Sequence, residues 1–284
     1  MPVEQRHQQG RRFFIYAPPK KGRQRSTGEL ISKRRPPNPP FANAEPWQCS
    51  VYYFWWEFLR RHDGYRRTCK SGGKGKYRKL YEDFGDVHAT DVFWDWWVEH
   101  QHLFSEPKGR QIEECRFKLD FEHDADTLTI TVPLEIRTAH LVRMFRQILQ
   151  ANRNRVEKAR RKSRAPYPVA AKPSLQGLYT ALTVWDARQA NPKLKLYDLY
   201  DVVEPHTYMA IDQRVIVAGE YGDEIIKIDV PKAEREAART GTEDVFLREA
   251  RAVVRRRKAQ AIKRHLKAAQ AYIENVARGE FPKK

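Results

Sequence analysis

Six of the seven tryptophans of this 284-residue chain fall between Trp47 and Trp97, and that crowding limits the possible folds more than any other feature. Rings at this density have to be covered, either by a packed core or by a partner that stacks on them. The segment Ser50 to Arg61 (SVYYFWWEFLRR) places Val51, Trp55, Phe58 and Leu59 on one helical face, with Tyr52 and Trp56 beside it. Lys76 to Phe84 reads as a second short helix and Thr90 to Phe104 as a third. In the third, Thr90 is the expected N-cap, Asp91 suits the positive helix end, and Phe93, Trp96, Trp97, His100 and Phe104 share a face. Trp55, Trp56, Trp96 and Trp97 therefore sit at core spacing on helices, not on strands that would form a stacking platform.

Downstream, Ile112 to Leu119 and Thr127 to Val132 alternate apolar and polar residues and read as two strands around a turn at His123 to Asp126. Thr138 to Lys162 follows as a helix with Leu141, Val142, Phe145, Ile148 and Leu149 inside. Its end is basic, carrying Arg160, Arg161 and Lys162, and Pro166, Pro168 and Pro173 then break the chain at the expected domain boundary.

A second unit opens at Ser174, a good N-cap, with a helix over Leu175 to Ala190 and a shorter one within Lys193 to Val203. Arg214 to Ala218 and Ile225 to Val230 look like the strands of a hairpin or wing. The closing helix, expected to bend or break between Arg248 and Lys258, puts Ala259, Ile262, Leu266, Ala269, Ile273 and Val276 on one face. Arg256, Gln260, Lys263, Arg264 and Lys267 gather opposite. Gly279 and Pro282 end it. The predicted layout is a basic, mostly disordered arm over 1–45, an aromatic helical module with a hairpin over 46–163, a Pro-rich linker over 164–173 and a nucleic-acid-binding unit over 174–284. The fold class is α+β, mainly α.

A formal charge of +18 points to a polyanionic partner, nucleic acid before an anionic membrane surface. The arm carries ten Lys or Arg against three Glu, although Phe13, Phe14, Ile15 and Tyr16 could pin one stretch of it to a folded surface. No run reaches the roughly 18 apolar residues of a membrane span, and the N-terminus lacks a signal-peptide pattern. Cys49, Cys69 and Cys115 form neither a CxxC pair nor a disulfide framework. A cytoplasmic, nucleoid-associated location is expected.

Leu175 to Val203 and Gln260 to Pro282 together resemble the helix-turn-helix DNA-binding proteins of bacterial mobile elements, with residues 204–259 as an insertion before the recognition helix. The resemblance implies a DNA-binding regulator, winged if the two strands of the insertion pair. In such a domain Gln260, Lys263, Arg264 and Lys267 are spaced to reach base edges in a major groove, Arg or Lys favouring guanine and Gln adenine. Arg255, Arg256, Arg257 and Lys258 would grip backbone.

Other chemistries are less well supported. The Gly and Lys loop Lys70 to Lys76 (KSGGKGK) lacks the Walker spacing, and Asp83 to Gly85 (DFG) reads as a helix C-cap in the absence of other kinase signatures. The acidic group Asp120, Glu122, Asp124 and Asp126 could hold a metal for a nuclease but reads as a solvated hairpin tip. His206 and His265 have no partners at ligand spacing. The expectation is duplex DNA binding without catalysis, cofactor or metal. A second copy, or a protein docked on the aromatic module, would be the protein partner. RNA binding or nucleoprotein assembly is the alternative.

Overall fold

The computed structural model describes residues 7–21, 39–107, 128–161, 163–172, 174–218, 225–241 and 245–283, and these are mainly helical with two small antiparallel hairpins. Near the N-terminus β1 (His7–Gln9) pairs with β2 (Arg12–Phe14). Phe14 is fully buried, edge-on to Tyr52 and against Trp97, while Trp97 Nε1 donates to Gln9 Oε1. The start of the arm is thus pinned by its aromatic residues. The remaining arm residues, 1–6 and 22–38, lie outside the described set.

The aromatic segment folds as four helices. They are α1 (Val51–Arg60), α2 (Asp63–Lys70), α3 (Arg78–Phe84) and α4 (Phe93–His100), with a 3-10 turn over Gln101–Phe104. Ser50 caps α1 as the β-region N-cap, its Oγ accepting from the Tyr52 amide. Two differences from the sequence reading are local. An additional helix, α2, forms because His62 supplies an N-cap acceptor to the Tyr65 amide. Helix α4 starts at Phe93, since Thr90 Oγ1 is used two residues on, at the Val92 amide. Gly85, at φ 62°, ends α3 as expected of a C-cap. Trp55, Trp56, Trp96 and Trp97 are all buried, so the rings form a core. Some polar atoms among them are paired internally, Trp96 Nε1 donating to Phe84 O at 3.0 Å and Tyr65 Oη to Gly85 O at 2.6 Å, whereas Nε1 of Trp55 and of Trp56 is buried without a hydrogen-bond partner among the described residues.

Leu128 to Val132, the described part of the predicted strand over Thr127 to Val132, have no ladder partner among the described residues, and both of those end residues are exposed. Its predicted partner, Ile112 to Leu119, lies outside the described residues. The helix after it is interrupted at Asn152, giving α5 (Thr138–Ala151) and α6 (Arg153–Arg161). At the interruption the Ile148 carbonyl accepts from both the backbone amide and Nδ2 of Asn152. The expected inner face of α5 is not buried; Val142 and Phe145 stay exposed.

Residues expected as a linker are held on the core. Glu106 accepts from Ser163 Oγ and the Arg164 amide, the Tyr167 amide donates to Leu103 O, and the Ala170 amide donates to Phe281 O. The C-terminal part comprises α7 (Leu175–Ala190), α8 (Leu196–Val203), β3 (Arg214–Ala218), β4 (Ile225–Asp229), α9 (Val230–Thr240) and α10 (Val245–Val276). Ser174 caps α7 as predicted, and β3 pairs β4 with Arg214 opposite Asp229. The C-terminal part does not close a core of its own at its inner end. Leu178, Ala181 and Leu182 of α7 and Ala269, Tyr272, Ile273 and Val276 of α10 enter the aromatic core, because the four aromatic helices present more ring surface than they can cover alone.

Candidate nucleic-acid interface

Helix α10 runs unbroken for 32 residues, without the break expected as one possibility between Arg248 and Lys258. Its buried stripe explains the continuity. Leu247, Ala250 and Val254 pack on β3, β4 and α9; Ala261 and Ile262 pack on Val184, Leu199, Tyr200 and Val203; the last turns enter the aromatic core. Three clusters at helical spacing thus brace one helix along its length. Compared with the predicted face, Ala261 and Tyr272 join the buried side, whereas Leu266 is only half-buried.

The opposite side is open. Arg255, Arg256, Gln260, Lys263, Arg264 and Lys267 are exposed. Between this row and the segment Ala210 to Asp212 lies a concavity of about 600 Å³ lined by Gln260, Lys263, Arg264 and Lys267. Among the described residues no ion pair engages Lys263, Arg264 or Lys267. The one carboxylate on the concavity, Asp212, is held below the usual carboxylate range by hydrogen bonds from the Arg214 amide and side chain.

The basic run Arg255 to Lys258 divides in two. Arg256 faces solvent, and Arg255 lies 5.5 Å from the Tyr197 ring while remaining exposed. Arg257 instead donates from Nη1 to Asp212 O at 2.6 Å and Arg214 O at 2.8 Å, clamping the entry to β3. Lys258 pairs with Asp201 of α8 and sits over the Tyr200 ring. Those two cations satisfy groups of the chain itself. Nothing in sequence separation pointed to Asp201 or to the two carbonyls.

The surroundings set a direction of approach. Helix α8 carries Asp198 and Asp201 and is followed by Glu204, so its outer side would repel phosphate. On the hairpin, Val215, Val217 and Ile228 are buried, while Arg214, Ile216 and Lys227 are exposed, with Ile216 opposite Lys227. Arg160 and Arg161 end α6, with side chains outside the described set, as is all of Lys162. The acidic group over 120–126 also lies outside it, and among the described residues no cluster of His, Cys, Asp or Glu is arranged for a metal. His206 is exposed and His265 half-buried on α10. No helix among the described residues is long and apolar enough to cross a membrane. Known protein families, curated proteins and solved structures provide no match to this chain.

Proposed function

We propose that this chain binds duplex DNA through the exposed face of α10, as a regulatory or architectural protein without a catalytic step of its own. The observation that carries this reading is the division of α10: Ala261 and Ile262 are buried against α7 and α8, while Gln260, Lys263, Arg264 and Lys267 form an exposed row. A helix held in that way can enter a major groove some 12 Å wide, with side chains of the right length for base edges. Helices α7 and α8 then act as the support of a helix-turn-helix-like unit and the β3–β4 hairpin as its wing. The nucleoid would be its place of action. The rings that an RNA-binding surface would use for stacking, Trp55 and Trp97 among them, are buried, which favours duplex over unpaired bases.

Fluorescence anisotropy with matched duplex DNA, single-stranded DNA and an RNA hairpin over a salt series tests the reading. Duplex binding should be tightest, and the variant Lys263→Ala/Arg264→Ala/Lys267→Ala should lower its log–log salt slope by about 2 to 3. Equal affinity for the RNA hairpin, or an unchanged slope in the variant, would overturn it.

A further inference from the structure

A second basic concavity, of about 540 Å³, is formed by helix α2 with its N-cap and the loop that follows, and its lining includes His62, Arg67, Thr68, Ser71, Lys74 and Lys76. No carboxylate lines it. Among the described residues no ion pair engages Arg67, Lys74 or Lys76, although Lys76 lies 5.6 Å from the Tyr77 ring. Three uncompensated cations around one hollow repel one another, a cost that an anion would relieve.

The hollow has a fixed shape. Ser71 Oγ bonds the carbonyls of Thr68 at 3.0 Å and Lys74 at 2.7 Å, closing the loop on itself. Gly73 is buried at φ 87°, where a Cβ would lie 2.5 Å from the Tyr81 ring, so only glycine allows the loop to sit this low. His62 adds a neutral donor. Its Nδ1 accepts the Tyr65 amide at 3.0 Å, which leaves the proton on Nε2, and burial lowers its pKa.

At His62 the hollow comes within electrostatic reach of α10. Lys263, Lys267, Gln270 and Glu274 recur on one side of α10 and are all exposed, and the charge of Glu274 is felt at His62. Eleven residues of helix from Lys263 to Glu274 span roughly 16 Å, about a third more than a major-groove width. A duplex entered at Lys263 would therefore bring a flanking backbone strand towards the loop. Glu274, bonded to Gln270, opposes it on α10, and Asp63 at the start of α2 adds a second negative charge beside His62.

The geometry points to the Gly and Lys loop as a second phosphate-binding site, taking backbone phosphodiesters of the same duplex that α10 engages. This rests on the duplex-binding reading of α10. The loop contributes affinity and salt dependence but reads no sequence.

Salt-slope measurements on the full chain with a fluorescent duplex of mixed sequence test the assignment. Lys74→Gln/Lys76→Gln, both at exposed positions, should lower the slope by about 2 and leave the melting temperature unchanged. The control Lys232→Gln/Arg235→Gln removes equal charge from exposed positions on α9 and should change the slope by less than half as much. If the loop variant behaves like the control, the loop site is refuted and the α10 reading stands. If Lys263→Gln/Lys267→Gln leaves the slope unchanged, or the intact chain does not bind duplex, the α10 reading falls and the shared-duplex site falls with it.

Discussion

Arg61 and Asp186 form a bidentate bridge, Nε to Oδ1 at 2.7 Å and Nη2 to Oδ2 at 2.6 Å, that fastens the end of α1 to α7. The remaining nitrogen, Nη1, bonds the Glu57 carbonyl at 2.7 Å and its carboxylate. Burial alone would lower the Arg61 pKa, but the bond to Asp186 and the Glu57 charge outweigh it and raise the value. One guanidinium thus ties the aromatic helices to the unit that supports α10.

The bridge is asymmetric in what its loss would leave behind. The Glu57 side chain is 13% exposed and that of Asp186 is 47% exposed. Arg61→Ala strands the more buried carboxylate and is expected to cost about 2 to 3 kcal/mol. Asp186→Ala leaves Arg61 paired with Glu57 and should cost about 1 kcal/mol or less, because the lost partner is well solvated. Urea denaturation of both variants measures this; equal losses would refute the asymmetry.

Phe281 lies beyond the end of α10, yet it is fully buried, 5.5 Å from the rings of Trp55 and Phe58 and 5.7 Å from Tyr272. Phe281→Ala should destabilise by about 3 to 5 kcal/mol. Because the core is shared, tryptophan fluorescence and far-UV circular dichroism should shift together. A fluorescence transition left in place while the dichroism splits would mean that the aromatic helices fold apart from the C-terminal helices.

The local periodicities were legible in the sequence and the partnerships were not. Ser174 marked the start of α7, and the strand-like run Arg214 to Ala218 marked β3, because both signals act within a few residues. The exposed row of α10 was equally readable from its 3.6-residue repeat. Helix α5 shows where periodicity stops: Leu141, Val142, Phe145 and Ile148 form a sound amphipathic stripe, but a stripe does not state what covers it. Arg257 and Lys258 looked the same as Arg256, since only folding brings the Asp212 carbonyl and the Asp201 carboxylate to them.

That difference separates two kinds of cation on one helix. The Lys258 side chain is 18% exposed and paired, so Lys258→Ala should lower stability by about 1 kcal/mol and leave the duplex salt slope nearly unchanged. Lys263→Ala, at an exposed position outside any ion pair among the described residues, should do the opposite. Its stability should stay within about 0.5 kcal/mol of the parent, and its slope should drop by about 1. Melting curves and anisotropy on the same two proteins decide the matter, and a Lys258 variant that loses slope without losing stability would return that residue to the DNA-contacting set.

His62 and His88 give the fold a pH dependence with a definite sign. Burial is the main cause lowering both imidazole pKa values from 6.5; Asp63 and Glu274 partly offset it at His62, and Arg66 and Arg60 add to it at His88. Below about pH 6.5 the unfolded chain takes up these protons more readily than the folded chain, so stability falls as the pH drops through that value. Above it both rings are neutral in both states and the dependence vanishes. His62→Asn keeps an N-cap acceptor for the Tyr65 amide while removing the titrating group. The urea midpoint of the parent should therefore fall between pH 7 and pH 5.5, that of His62→Asn should fall less, and His62→Asn/His88→Gln should be nearly flat over the same interval. A parent midpoint that rises on acidification would mean that these rings gain protons on folding, contrary to their burial.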